Sequence, residues 1–149
     1  MKMTTLPSKL IALSAAVVLL LGLLHLLYTF YGHKLLPRDP ELLSRMREVS
    51  PVITRQTTMW KAWVGFNASH SFGAILFGVV YGYLSLLHAA FLFQSTFLLL
   101  FGLALLSGYV LLAKRYWFSA PLRGILLATV LYASALLIAW AYPFHRAGL

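Results

Sequence analysis

Asn67, His70 and Ser71 stand at i, i+3 and i+4 within an apolar stretch, so on a helix they share one face, with Trp63 and Ala74 above and below on the same stripe. An imidazole beside a carboxamide and a hydroxyl can hydrogen-bond a small ligand, hold a metal, or join neighbouring helices. Polar groups in hydrocarbon are expensive unless paired, so this face is expected to look into a helix bundle. Ser69 projects elsewhere and can satisfy itself on a backbone carbonyl.

Three further polar residues belong with this group by depth. His25 lies near the end of a first apolar run and His70 near the start of a second, both roughly 10 Å below the same surface at the usual helical rise. Ser107 on a third run and Tyr132 on a fourth fall near that level on the same count. The expected site is therefore a polar pocket of Trp63, Asn67, His70, Ser71, His25, Ser107 and Tyr132. Structural hydrogen bonding between helices is the plain alternative, worth under about 1 kcal/mol per contact on average.

Metal chemistry has one arrangement to recommend it. His25 with His70 at one level, and His88 with His145 near the other surface, would suit a membrane cytochrome holding two haem b groups. Against it, His88 and His145 lie at the ends of apolar runs, and no carboxylate stands near His70 to orient it. Hence no cofactor is favoured, with haem between His25 and His70 as the alternative.

Enzymatic readings fare poorly. The only acids are Asp39, Glu41 and Glu48, all in one polar segment, so no Ser-His-Asp set can be assembled. There is no phosphate-binding glycine loop, and Ser69 and Ser71 point away from His70 as its sequence neighbours. The absence of cysteine removes disulfides, thiolate sites and Cys nucleophiles.

The elements that must position these residues follow from composition. Of 149 residues 61% are hydrophobic and only 10% charged, with a mean hydropathy of +0.84, so lipid is expected to solvate much of the exterior. The formal charge of +9 falls mostly between hydrophobic runs, which points to anionic lipid rather than nucleic acid. Four spans are expected, at about 10–31, 63–83, 91–113 and 124–142. The first is too long for a signal-peptide core and lacks a cleavage site, so it reads as a retained span.

The polar loop 32–61 carries a helix start at Asp39-Pro40-Glu41, followed by an apolar stripe of Leu42, Leu43, Met46 and Val49. Such a stripe packs on the end of a bundle, lies in the membrane interface, or binds a partner. Ser50-Pro51 reads as a second start signal, and Trp60, Lys61, Trp63 and the group Lys114-Arg115-Tyr116-Trp117 mark interfaces. Small residues four apart, Ala74-Gly78-Gly82, Ala104-Gly108 and Ala135-Ala139, suit close helix packing.

The expected fold is thus all-α: a single four-span domain, an integral membrane up-down four-helix bundle with a short amphipathic helix in the first loop. Loops 32–61 and 114–123 hold nine of the twelve Lys and Arg, whereas the opposite side holds Lys2, Lys9 and Arg146. The positive-inside rule puts those loops in the cytoplasm and both termini outside.

The string Trp60 through Gly73, with its core Gly65-Phe66-Asn67-x-Ser69-His70-Ser71, resembles an uncharacterised bacterial family of small four-span membrane proteins with a Trp-Gly-Phe-Asn-x-Ser-His-Ser type motif. The resemblance implies the four-span fold and the importance of Gly65, Asn67, Ser69, His70 and Ser71, and it supplies no reaction. The leading expectation is a non-enzymatic protein that binds a small or lipid-like ligand, or a membrane-protein partner, through the pocket around His70. A haem- or metal-binding redox protein using His25 and His70 is the alternative, and a scaffold acting through the Leu42, Leu43, Met46 and Val49 stripe is a third class.

Overall fold

A computed structural model of the chain describes residues 6–141, and every regular element in that range is an α-helix. In order these are α1 (Leu6–Phe30), α2 (Pro40–Glu48), α3 (Met59–Leu87), α4 (Ala89–Gln94), α5 (Thr96–Tyr116) and α6 (Ser119–Ala141). Four of them, α1, α3, α5 and α6, are long and apolar enough to cross a bilayer, which makes this an integral multi-pass membrane protein by length and composition. His145, Arg146 and Lys2 lie outside the described residues.

Several element boundaries depart from the sequence expectation, and at two places the local reason is visible. The third span begins at Thr96 rather than near Phe91, because the Ser95 side chain accepts a bond from the Leu98 amide and caps α5 there. Phe91 therefore belongs to the separate short helix α4. Ser50-Pro51 does not start a helix. The second span opens at Met59, where Thr58 Oγ1 accepts from the Lys61 amide at 3.3 Å. The start at Asp39 is as expected, with its carboxylate accepting from the Glu41 amide at 2.9 Å and Pro40 in the first turn.

The chain divides into two compact units, one formed by residues up to Leu21 with those from Ile75 onward, the other by Gly22–Ala74. The first is an up-down four-helix bundle. Its α1 segment meets α3 at Gly78, where an added methyl group would lie 2.6 Å from Leu19 Cβ and 2.9 Å from the Ala15 carbonyl oxygen. Absence of a side chain there lets two backbones touch. Tyr81 on α3 reaches the first turn of α5, donating its hydroxyl to the Leu98 carbonyl at 2.7 Å. Tyr132 on α6 donates to the adjacent Leu99 carbonyl at 3.1 Å. Ser14 on α1 closes the ring by donating to the Ala128 carbonyl on α6 at 2.7 Å.

Each long helix buries one narrow stripe and turns the rest outward. Ile11, Ala15 and Val18 face inward on α1, and Leu99, Gly102, Leu106 and Ala113 on α5. Leu13, Leu20, Phe97, Leu111, Val130 and Leu137 are exposed, as lipid-facing residues are. No buried side-chain nitrogen or oxygen among the described residues lacks a partner, which an apolar surrounding demands.

The small-residue stripes are used unequally. Ala74, Gly78 and Ala135 pack inside, but Ala104 is exposed and a methyl group at Gly108 would meet nothing within 4 Å. The Ala104-Gly108 pair therefore lies on the outward side of α5, in a shallow apolar groove with Phe101, Leu105, Tyr109 and Leu112.

In the second unit the end of α1, α2 and the start of α3 are tied together by the 31–58 segment. The Met59 amide donates to the Val49 carbonyl at 2.8 Å, and the Arg47 guanidinium sits over the Trp60 ring at 5.9 Å. None of α2 is buried: Leu42 and Val49 are exposed, and Leu43 and Met46 are half-buried.

Candidate functional site

The residues that the sequence singles out fall into two separate sets. His25, Trp63, Asn67, His70 and Ser71 belong to the second unit, whereas Ser107 and Tyr132 belong to the first.

Asn67 is the hub of the first set. Its position on α3 places the amide beside His25 of α1, with His25 Nε2 and Asn67 Oδ1 3.0 Å apart. The amide nitrogen donates to the Trp63 carbonyl one turn back at 2.8 Å. That second bond fixes which end of the amide faces the imidazole, because a carbonyl can only accept. Asn67 Oδ1 thus accepts, and His25 Nε2 carries the proton.

Bonds on either side extend this pair into a chain. Trp63 Nε1 donates to the Leu35 carbonyl at 3.2 Å, so the turn after α1 is held to the start of α3. Thr29 donates its hydroxyl to the His25 carbonyl at 2.8 Å, and Ser71 donates to the Asn67 carbonyl at 2.9 Å. Ser69 is spent on its own helix, donating to the Phe66 carbonyl at 3.0 Å.

His70 meets His25 edge to face, with ring centroids 5.4 Å apart and planes at 84°. His25, Asn67 and His70 are all half-buried, while Ser71 is fully buried and Trp63 is 44% exposed. Two imidazoles and a carboxamide are thus gathered on two spans without being sealed from their surroundings. With Trp63 beside them, they can present hydrogen-bonding groups to a polar moiety and an aromatic surface to an apolar one.

The same geometry bears on haem. Two axial imidazoles must aim at one iron from opposite faces of a macrocycle. Here His25 aims Nε2 at Asn67 and the rings touch each other, so no macrocycle fits between them as they stand. Among the described residues no three His, Cys, Asp or Glu gather as a metal site would require. His88, the described half of the second expected pair, is exposed and sits 3.0 Å from the Tyr83 hydroxyl.

Ser107 and Tyr132 behave differently from the level expected of them. Ser107 faces outward on α5 and is exposed. Tyr132 is fully buried against Tyr81, ring centroids 5.8 Å apart, and bonds Leu99 in the first turn of α5, the end away from Lys114 and Arg115. The depth count misplaced it because α6 begins at Ser119, earlier than the expected 124, so Tyr132 lies beyond the middle of the helix. Depth misplaces Tyr132, and nothing in the sequence singles out Tyr81 or Ser14; each of the three bonds a backbone carbonyl inside the bundle.

No known family matches the chain, and searches of curated proteins and of solved structures find no match either.

Proposed function

We propose that this chain is a small multi-pass protein of the bacterial inner membrane that binds the polar end of a small or lipid-like ligand at His25, Asn67 and His70, with Trp63 along its apolar part. The observation that supports this most is the half-exposed His25–Asn67–His70 group, in which the His25 imidazole bonds the Asn67 carboxamide of the other span and the His70 ring packs edge-on against His25. A contact made of a single fully buried bond leaves no surface to a ligand. Ser14 on Ala128 is such a contact.

The reading is non-enzymatic, because the three acids lie in the 39–48 segment and none accompanies the histidines. Loops 32–61 and 114–123, with nine basic residues, take the cytoplasmic side in this reading and the termini the other. The motif around Gly65, Asn67 and Ser69–Ser71 then serves to shape the site.

The test is native mass spectrometry of the protein released from detergent after exposure to a total lipid extract of the expression host. Wild type is expected to retain a bound mass that His70→Gln and Asn67→Ala lose, with helix content unchanged by circular dichroism. Retention by both variants, or no bound mass on wild type, would sink the reading. A Soret band in the purified wild type would instead restore the haem alternative.

A further inference from the structure

The loop between α2 and α3 carries a feature that water does not explain. The bond from the Met59 amide to the Val49 carbonyl closes residues 50–58 into a loop, and the Thr54 amide donates to the Pro51 carbonyl at 3.2 Å to form a tight turn at its tip. The Gln56 amide on Thr54 Oγ1, at 3.1 Å, braces the far side. The loop is thus a formed structure with its own internal bonds.

The two central residues of that turn are Val52 and Ile53. Turn centres are ordinarily Gly, Asn, Asp or Ser, and β-branched apolar residues suit strands instead. Both side chains are fully exposed, Ile53 at 91%, and Val49 and Met59 at the base of the loop are exposed as well. An intrinsically unfavourable pair held at a tip, with none of the described residues covering it, implies an apolar medium outside the chain.

Position and charge identify that medium. The loop springs from the first residue of α3, one step before Trp60, Lys61 and Trp63, the aromatic and basic group that marks a membrane interface. Arg55 and Lys61 flank the tip, both exposed, and no acid occurs between Val49 and Lys61. Apolar residues at a tip with cations beside them are complementary to an anionic bilayer surface, the side chains entering the acyl boundary and the cations meeting phosphates.

We propose that the 50–58 loop is a membrane-dipping anchor, in which Val52 and Ile53 insert into the same bilayer that α3 crosses while Arg55 and Lys61 engage anionic headgroups. The unburied stripe of α2 then lies along that surface. The anchor sets the depth of the start of α3, independently of whether His70 binds a ligand.

The chain has no cysteine, so single-cysteine labelling needs no prior substitution. Val52→Cys, Ile53→Cys and Gln56→Cys, each carrying a nitroxide and reconstituted in vesicles of phosphatidylcholine and phosphatidylglycerol, would be probed by collision with oxygen and with a water-soluble nickel chelate. The expected result is oxygen accessibility severalfold above nickel accessibility at 52 and 53, with the order reversed at 56. Nickel-dominated collisions at 52 and 53 would place the tip in water and overturn the proposal. Shielding from both reagents would place it under protein, and would overturn it equally.

Discussion

Gly102 provides the sharpest test of the bundle. A methyl group at this position on α5 would run into the Tyr132 hydroxyl and lie 2.7 Å from Tyr81 Cε1 and Cζ. Neither ring can yield freely, because each hydroxyl is anchored on α5 itself, to the Leu98 and Leu99 carbonyls. Gly102→Ala therefore forces either overpacking, about 1–3 kcal/mol, or loss of a hydroxyl bond, about 0.5–1.5 kcal/mol. Against this stands the gain in helix propensity, about 1 kcal/mol at most. With some of both costs incurred, the expected net loss is about 2 kcal/mol. Gly108→Ala on the same helix is the control, since its methyl group would meet nothing within 4 Å. It should be neutral or stabilising by up to about 1 kcal/mol. A detergent-unfolding titration from bicelles, followed by circular dichroism and Trp fluorescence, gives both values under two-state analysis. Tyr132→Phe removes the colliding oxygen, so it should cost less in the Gly102→Ala background than alone. Equal stabilities for the two alanine variants would refute the seating of the tyrosine pair against Gly102.

Three further outcomes are expected in the same titration. Gly78→Ala pushes on the Ala15 carbonyl and Leu19 Cα, backbone atoms that cannot swing aside, and should cost at least about 2 kcal/mol. Gly82→Ala meets only Ala15 Cβ, at 3.8 Å, and should stay within about 0.5 kcal/mol. Ser14→Ala should lose only about 0.6 kcal/mol, the average for polar contacts between spans, because the Ala128 carbonyl keeps its place in the α6 ladder.

The number and order of spans were legible because apolar runs long enough to cross a bilayer seldom occur in chains that fold in water. The direction each span faces was not. Helices apolar all round carry little amphipathic signal, so nothing in composition separates Leu106, buried, from Leu111, exposed. The same blindness makes Ala104-Gly108 look equivalent to Ala74-Gly78, although a methyl group at Gly78 would meet α1 and one at Gly108 would meet nothing within 4 Å. At the site, His25, Asn67 and His70 stood out against an apolar background, and two spans running antiparallel sufficed to suggest their meeting. A depth count misplaces Tyr132 because it inherits every error in a helix boundary, and α6 begins at Ser119. Ser14 gives no signal in the sequence because serine in a span so often bonds its own helix, as Ser71 does to Asn67.

Burial and bond direction divide the polar residues of the spans into two kinds. Tyr132 and Ser14 are fully buried, and each donates its single hydroxyl proton to a backbone carbonyl of another helix. Each therefore satisfies its donor within the bundle and has no exposed surface to offer. Asn67 spends its amide differently, giving one proton to its own helix and receiving the proton of His25. That receipt orients the imidazole but leaves the ring half-exposed, with His70 set edge-on beside it. In the proposed reading, a carboxamide that fixes a tautomer serves the site because the geometry is settled before anything binds, and so less ordering cost would fall on the ligand. The bond from Trp63 to the Leu35 carbonyl carries that fixation up to the turn after α1, so the polar group and the interfacial segment are held in register within one unit.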